Sequence, residues 1–223
     1  MLNITVDGHA ASGKSVLAKE IAKSLGIKVF ETGAMYRALA CEWDARNLGN
    51  FTEKKVREFL KDLSISVKFI DGKQHTIVNG TDYTEFLRLE KISMLSVRIS
   101  PFKEIREKVK LIQREFASEN DCVMEGRDIG SVVLPNADFK FFITAPVEVR
   151  AERRFLQEKE KQPKLKLSDV LEDLKERDFL DETRKIAPLK ITEDSIIINT
   201  AGKTIKESLN DCLIYIYQKR KNL

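Results

Sequence analysis

The chain has 223 residues, with 39 Lys and Arg against 35 Asp and Glu, so its formal net charge is only +4. This length suits one compact domain with inserted lobes, and 42% hydrophobic with 33% charged residues is typical of a soluble globular protein. No apolar run approaches the ~18 residues of a membrane span, and no basic stretch precedes an apolar one near the N-terminus, so we expect neither a membrane anchor nor a secretory signal.

The cysteines indicate a reducing compartment. Cys41, Cys122 and Cys212 are odd in number and too widely spaced for a disulfide framework or a metal knuckle. We therefore expect a cytoplasmic protein. The small charge excess gives no reason to expect a nucleic-acid partner, so any basic function must be local.

The N-terminal segment predicts a β-α-β unit. Leu2–Val6 alternates as a strand does, and apolar residues every four positions predict a helix over Lys14–Leu25, which Gly26 is placed to end. Ile27–Phe30 follows as a short strand. This order favours a parallel sheet covered by helices.

The middle of the chain predicts an antiparallel insertion between helices. Helices are expected at about 34–46 and 52–63. Asp71-Gly72 and Asn79-Gly80 are hairpin signals, and they separate predicted strands at 65–70, 75–78 and 82–84.

Further helices and buried strands complete the pattern. Ser100 and Pro101 are placed to cap and begin a helix whose apolar residues recur to Phe116. The remaining predicted strands are 122–124, 139–144 and 195–199, and the remaining predicted helices are about 147–162, 168–185 and 204–219.

Residues 8–15, GHAASGKS, match the pattern Gly-x-x-x-x-Gly-Lys-Ser in full, between a predicted strand and a predicted helix. Glycines let backbone N–H groups turn toward phosphate oxygens, and a helix N-terminus adds positive potential. Lys14 is suited to neutralise the outer phosphates, and the hydroxyl of Ser15 to reach Mg²⁺. The segment therefore predicts a nucleoside triphosphate site, with His9 as an incidental loop residue.

Arginines near the ends of predicted elements indicate a second anion. Phosphoryl transfer between two anions needs cations around donor, acceptor and transferring group. Residues 150–166 alone contain seven basic and three acidic residues. The other arginines in this group are Arg37, Arg106, Arg127, Arg177 and Arg184.

Five segments in this order resemble bacterial cytidylate kinases over nearly the whole chain. They are GHAASGKS (8–15), ETGAMYR (31–37), VNGTDYT (78–84), EGRDIGSVVLPNAD (125–138) and ERDFLDETR (176–184). The resemblance implies an α/β fold of the P-loop nucleoside monophosphate kinase type, with a parallel five-stranded sheet, helices on both faces, a lid and a small antiparallel insert. It implies a single domain with its core at about 1–34, 118–147 and 186–223, an acceptor-binding lobe at about 35–117 with the insert at about 64–84, and a lid at about 148–168.

The resemblance also implies an activity and a set of site residues. The reaction would transfer the γ-phosphoryl of ATP to CMP or dCMP with Mg²⁺, with Ser15 as metal ligand and Lys14, Arg127 and Arg184 as catalytic residues. The implied ATP-binding residues are Gly8, His9, Ala10, Ala11, Ser12, Gly13, Lys14, Ser15, Val16, Arg153 and Arg154. The implied substrate contacts are Thr32 and Arg37 to the acceptor, Ser96 and Arg106 to cytosine, Asp128 to its exocyclic amine, Arg127 and Arg184 to the α-phosphate, and Arg177 and Asp181 to the sugar.

Some positions depart from the family pattern. His9 stands where Pro is usual, Val16 where Thr is usual, and Glu31 and Glu125 where Asp is commoner. Glu125 ends a predicted strand and is a candidate for ordering a water on Mg²⁺. The alternatives to Ser96 are Ser93 and Ser100. These departures bear on rate and metal geometry more than on the reaction class.

Two other functions remain open at this point. One is a P-loop kinase for another small acceptor such as shikimate, dephospho-coenzyme A or a different nucleotide; the insert and the GRDIG segment oppose it. The other is a non-catalytic nucleotide switch or nucleic-acid-binding module, which the acidic residues interspersed in the basic run and the lack of a known nucleic-acid-binding motif oppose. We expect ATP and CMP or dCMP as partners, no nucleic acid, no membrane, and a monomer.

Overall fold

The protein divides into two compact units in a computed structural model that describes residues 1–160 and 162–221. The core unit comprises residues 2–29 and the described part of 121–223. The insert unit comprises Phe30–Asn120, together with Met1.

The bounds of the elements are as follows. The strands are β1 (Asn3–Gly8), β2 (Lys28–Glu31), β3 (Ile65–Ile70), β4 (Lys73–Val78), β5 (Thr81–Asp82), β6 (Cys122–Glu125), β7 (Phe139–Thr144) and β8 (Ile196–Asn199). The α-helices are α1 (Lys14–Leu25), α2 (Thr32–Ala45), α3 (Glu53–Lys61), α4 (Glu90–Ile99), α5 (Lys103–Glu119), α6 (Val147–Glu158), α7 (Leu167–Thr183) and α8 (Ile205–Lys221).

A five-stranded sheet has the strand order β2-β6-β1-β7-β8. β1 pairs in parallel with both β6 and β7, and β7 pairs in parallel with β8. The predicted parallel sheet with its helices is therefore confirmed. Because Val6 lies opposite Glu125 and Gly8 opposite Ile143, the carboxyl ends of these strands open on one edge of the sheet.

The alternation along β1 separates a core face from a polar face. Ile4 and Val6 are fully buried in an apolar cluster that α1 and α8 complete. Thr5 and Asp7, which alternate with them along the strand, point to the opposite face and are also buried. A polar residue buried at the carboxyl end of a central strand is costly unless it has partners, so Asp7 needs a structural explanation.

The insert unit contains the predicted antiparallel sheet, in the order β3-β4-β5. Asp71 and Gly72 both have positive φ, as do Asn79 and Gly80, which is the backbone of a type I′ hairpin turn. The small sheet and its two turns are confirmed.

The carboxylate of Glu42 links this sheet to α2. Glu42 is buried, and it accepts hydrogen bonds from the Tyr83 hydroxyl at 2.7 Å, Asn79 Nδ2 at 2.9 Å and Arg46 Nε at 2.7 Å. Burial alone would raise the pKa of Glu42, but these three hydrogen bonds hold it below its usual value. Glu42 is thus ionised near neutral pH, and its carboxylate accepts hydrogen bonds from all three donors.

Three local predictions are wrong. The helix start expected at Ser100 and Pro101 is wrong, because Ser100 closes the unpredicted helix α4, with its N–H bonded to Ser96 O, and α5 begins only at Lys103. The strand expected at 82–84 ends at Asp82, since Thr84 begins a 3-10 turn. The helix expected to 162 ends at Glu158.

The three cysteines are all buried and unbonded. Cys41 lies in the insert unit, and Cys122 and Cys212 lie in the core unit. Within the described residues, no helix combines the length and apolar character needed to cross a membrane.

Candidate functional site

The phosphate loop joins β1 to α1, as predicted. Gly8 cannot carry a side chain, because a Cβ there would lie 2.1 Å from Ile143 O on the neighbouring strand. Ala11 has φ 58° and Gly13 has φ 90°. Left-handed residues interspersed in a loop turn backbone N–H groups toward one concavity, which is an anion-binding arrangement.

Lys14 begins α1 and is buried. Its Nζ donates to His9 O across the loop at 3.2 Å. Burial, together with the positive charge of Arg127, lowers the pKa of Lys14 to about 7, against an opposing effect of Glu125. A lysine in this state gains its charge when an anion binds beside it.

Ser15 and Glu125 form the oxygen-rich part of the site. Ser15 Oγ donates to Glu125 Oε2 at 3.0 Å, at the carboxyl end of β6. A hydroxyl and a carboxylate are ligands that Mg²⁺ accepts alongside water and phosphate oxygens, so these residues fit the predicted metal. Among the described residues, no group of three or more His, Cys, Asp and Glu side chains could hold a metal alone.

Guanidinium–carboxylate pairs lie next to the phosphate loop within the core unit. Arg127 Nε donates to Asp181 Oδ2 at 2.8 Å, and Arg184 Nη2 donates to Asp128 Oδ1 at 3.1 Å. Burial would raise the pKa of Asp181, but the charge and hydrogen bond of Arg127 and the charge of Arg184 lower it. The charges of Arg127, Arg177 and Asp181 all act on Lys14, so the structure brings these predicted residues together with the loop.

Asp7 anchors the segment that carries Arg127 and Asp128. Its two carboxylate oxygens accept the backbone N–H groups of Ile129 at 3.0 Å and Gly130 at 2.7 Å. These begin a short π-helical segment, Ile129–Val133. Gly130 leaves no room for a Cβ, which would lie 2.9 Å from Thr5 Oγ1. Burial raises the pKa of Asp7 to about 7 in spite of the two N–H donors.

Arginines of α6 are engaged with protein groups. Arg150 is buried and pairs with Asp178 at 2.7 Å. Arg153 donates to Thr200, and Arg154 pairs with Glu158 in the same helix. The predicted contact of Arg153 and Arg154 with ATP phosphates stays a prediction.

Within the insert unit, helices α2, α4 and α5 pack together and carry the four predicted acceptor residues. Arg106 is buried, donates to Ser100 O at 3.2 Å, and lies 5.7 Å from the ring centroid of Tyr36. Ser96 Oγ donates to Ser93 O at 2.7 Å. The other two are Thr32, which is buried, and Arg37, both on α2.

The family model that matches the chain is that of cytidylate kinase, and it covers residues 4–218. The chain belongs to the cytidylate kinase family. It is accordingly a phosphotransferase of the kinase class, and the predicted resemblance is confirmed.

Relatives agree with this membership over almost the full length. A cytidylate kinase of Caldicellulosiruptor saccharolyticus is 41% identical over 217 residues, which are 97% of this chain and 96% of the relative. One of Lactobacillus johnsonii is 39% identical over 222 residues, covering 100% and 96%.

Solved structures support the fold alone, because their identities are low. An uncharacterized protein from Eubacterium ventriosum has a TM-score of 0.54 at 13% identity, with 97% of this chain and 98% of that chain covered. A gluconokinase from Sinorhizobium meliloti has a TM-score of 0.50 at 15% identity, covering 99% and 94%.

Sequence reasoning missed several polar residues behind this cytidylate kinase site. Asp7, Arg150 and Thr200 are buried and bond to backbone groups of the loops, and Asp178 pairs with Arg150. The available signal for Asp7 was its position as a charged residue at the end of a strand with apolar alternation. His9 was treated as incidental, yet its Nε2 lies 2.7 Å from Glu182 Oε1 on α7.

Proposed function

We propose that this cytidylate kinase transfers the γ-phosphoryl of ATP to CMP or dCMP, giving ADP and CDP or dCDP, in a Mg²⁺-dependent reaction. The observation that carries the proposal is the phosphate loop beside a cluster of arginines in a chain of this family. A loop for one anion and guanidinium groups for another are what transfer between two phosphates requires.

The triphosphate is assigned to the phosphate loop. Backbone N–H groups of residues 8–15 and the N-terminus of α1 provide donors and positive potential. Lys14 supplies a positive charge for the outer phosphates. Burial and Arg127 lower its pKa to about 7. Negatively charged phosphate oxygens bound beside it would stabilise the protonated form and raise this pKa again.

The proposed acceptor contacts are the residues that the family resemblance implies. Arg127 and Arg184 are the proposed contacts of the acceptor's α-phosphate, and Asp128 reads the cytosine amine. A carboxylate accepts from the exocyclic amine of cytosine and meets a carbonyl in uracil, so a site built on it discriminates between the two. The remaining proposed contacts are Thr32, Arg37, Ser96, Arg106, Arg177 and Asp181.

The chemical step needs no protein base. An oxygen of the acceptor phosphate attacks the γ-phosphorus, the bond from that phosphorus to the β,γ-bridging oxygen breaks, and ADP leaves with the electron pair. The acceptor oxygen is already a nucleophile near neutral pH. The protein contributes alignment and cations around the transferring group.

Ser15 is the residue that would ligate Mg²⁺, and its hydroxyl already donates a hydrogen bond to Glu125. The chemistry that the ion supplies when bound is charge neutralisation on phosphate oxygens. Glu125 is suited to orient its water ligands.

An acceptor panel tests the proposal. CMP, dCMP, UMP, AMP and shikimate are each incubated with ATP and Mg²⁺, and ADP release is measured. We expect CMP and dCMP to be the preferred acceptors and Lys14→Met to abolish turnover while the fold, measured by circular dichroism, is retained. Preference for any acceptor other than a cytidine nucleotide would overturn the assignment.

A further inference from the structure

The carbonyl groups of the phosphate loop have protein partners outside the loop. Ala10 O accepts from Arg150 Nη1 at 3.2 Å, and Ser12 O accepts from Thr200 Oγ1 at 3.0 Å. Arg150 and Thr200 are only 5% and 6% exposed. Both contacts are therefore buried hydrogen bonds, with which water competes little.

The nearer of the two carbonyls that the Thr200 hydroxyl can donate to is Ser12 O, at 3.0 Å. Arg153 Nη1 donates to the same Oγ1 at 2.9 Å, and Arg153 Nη2 donates to Thr200 O at 2.7 Å. The other nearby acceptor, Thr144 O at 3.3 Å, already takes the Thr200 backbone N–H at 2.9 Å. The hydroxyl thus receives one hydrogen bond from Arg153 and has the loop carbonyl of Ser12 as its nearer acceptor.

Arg150 links the loop to two further elements. Its Nε donates to Ala145 O after β7 at 2.9 Å, and its Nη1 also pairs with Asp178 Oδ2 on α7 at 2.7 Å. A buried guanidinium held by three acceptors has a fixed orientation. The Ala10 carbonyl that it binds is therefore fixed as well.

Fixing a carbonyl also fixes the next amide. All described peptide bonds are trans, and in a planar trans peptide the C=O and the following N–H point in opposite directions. The N–H groups of Ala11 and Gly13 consequently point away from Arg150 and Thr200. Ala11 holds the left-handed conformation with φ 58°, which costs a non-glycine residue roughly 1 kcal/mol and needs such support.

We propose that Arg150 and Thr200, the latter oriented by Arg153, are positioning residues that hold the amides of Ala11 and Gly13 toward the triphosphate. The inference rests on the proposed function, since it assumes that the loop binds ATP. It gives Arg153 a role exerted through Thr200, in addition to its predicted contact with phosphate.

The test compares Thr200→Val, which keeps the shape and removes the hydroxyl, with Thr200→Ser, which keeps the hydroxyl. Calorimetry measures binding of Mg²⁺-ATP and of inorganic tripolyphosphate, which has no nucleoside. We expect Thr200→Val to weaken both ligands by about three- to tenfold, the effect of one ordinary hydrogen bond. Thr200→Ser should recover most of this loss, and the KM for CMP should not change.

Thr192→Val is the matched control. Among the described residues, the Thr192 hydroxyl bonds to Asp194 and Ser195 in its own loop, so removing this hydroxyl should leave both affinities unchanged. Thermal unfolding of every variant verifies the fold.

Undiminished tripolyphosphate binding by Thr200→Val would overturn the inference. This includes the case in which only ATP binding weakens, because the hydroxyl would then act on the nucleoside and not on the phosphates. Arg150→Lys provides a second test, since lysine keeps the charge beside Asp178 but lacks the fork that reaches Ala10 O. It should weaken tripolyphosphate binding too, and wild-type affinity would count against the inference. A wild-type chain that binds tripolyphosphate but does not phosphorylate CMP would overturn the proposed function alone.

Discussion

The fold lowers the pKa of Lys14, and this shift has a consequence for ATP binding. Lys14 is buried at the start of α1, and burial with the nearby charge of Arg127 lowers its pKa to about 7. A cationic group with a lowered pKa is mostly neutral above pH 7 until an anion stabilises its charge. In the unliganded site the lowered pKa thus reduces the average charge of this buried ammonium group.

ATP binding at pH 8 should therefore be coupled to proton uptake by Lys14, and ATP affinity should fall as the pH rises above about 7. Calorimetry in two buffers with different ionisation enthalpies measures the uptake. Lys14→Met should bind ATP weakly and remove the pH-8 uptake. Equal apparent enthalpies in the two buffers would contradict the expectation.

Asp128 is paired with Arg184 at 3.1 Å, and its proposed partner is the cytosine amine. Asp128→Asn should lower the preference for CMP over UMP, measured as the ratio of kcat/KM, by about tenfold or more, because the amide can also serve a uracil carbonyl. Arg184→Lys is the comparison, and it should impair both acceptors equally. An unchanged ratio in Asp128→Asn would remove this residue from base recognition.

At the scale of elements, the segment after β6 depends on one carboxylate beneath it. Asp7 accepts the first amides of the π-helical segment, and the preceding residues Arg127 and Asp128 carry the proposed acceptor contacts. Asp7, near the carboxyl end of β1, therefore fixes the position of the backbone from which Arg127 and Asp128 project.

Asp7→Asn should reduce kcat/KM for CMP by about tenfold, since one amide loses its acceptor and meets an NH₂ group, at a cost of about 1–3 kcal/mol. The KM for ATP should change little. Asp44→Asn, which removes a surface pair with Lys91, should have no effect on either constant. Equal losses for ATP and CMP would indicate general unfolding and contradict the positioning role.

Glu42 should stabilise the insert unit in a pH-dependent way. Glu42→Gln should lower the free energy of unfolding at pH 7 by about 1–3 kcal/mol, because a glutamine amide cannot accept from Tyr83, Asn79 and Arg46 together. Since the folded pKa of Glu42 is lowered, this stabilisation is present above the ordinary value of 4.5 and is lost as the pH falls through the folded pKa.

Urea unfolding between pH 3 and pH 7 measures the effect. Glu53→Gln is the control, because Glu53 and Arg57 form an exposed pair whose side chains are 77% and 59% exposed, and such pairs contribute little. Equal stability of Glu42→Gln and the wild type at pH 7 would refute this prediction.

For the whole molecule, local patterns predicted most elements and the position of the phosphate loop. The spacing of glycines, Lys14 and Ser15 needs no tertiary knowledge, because strand, loop and helix are adjacent in sequence. Helix α4 was missed because its short apolar pattern has no strong start signal; its N-cap is Leu89. Asp7, Arg150 and Thr200 were missed because their partners lie far away in sequence, and only folding brings them together.

Because all three thiols are buried, the reactivity of each cysteine measures local unfolding around it. Burial raises the pKa of Cys41 to about 11 and that of Cys122 and Cys212 to about 12, so none reacts as a thiolate while the fold is intact. Iodoacetamide should consequently alkylate the protein only during unfolding excursions. Cys41 belongs to the insert unit, and the other two cysteines belong to the core unit. Mass spectrometry of the labelled peptides over time in mild urea would therefore show which unit unfolds first. Rapid labelling in buffer alone would contradict this expectation.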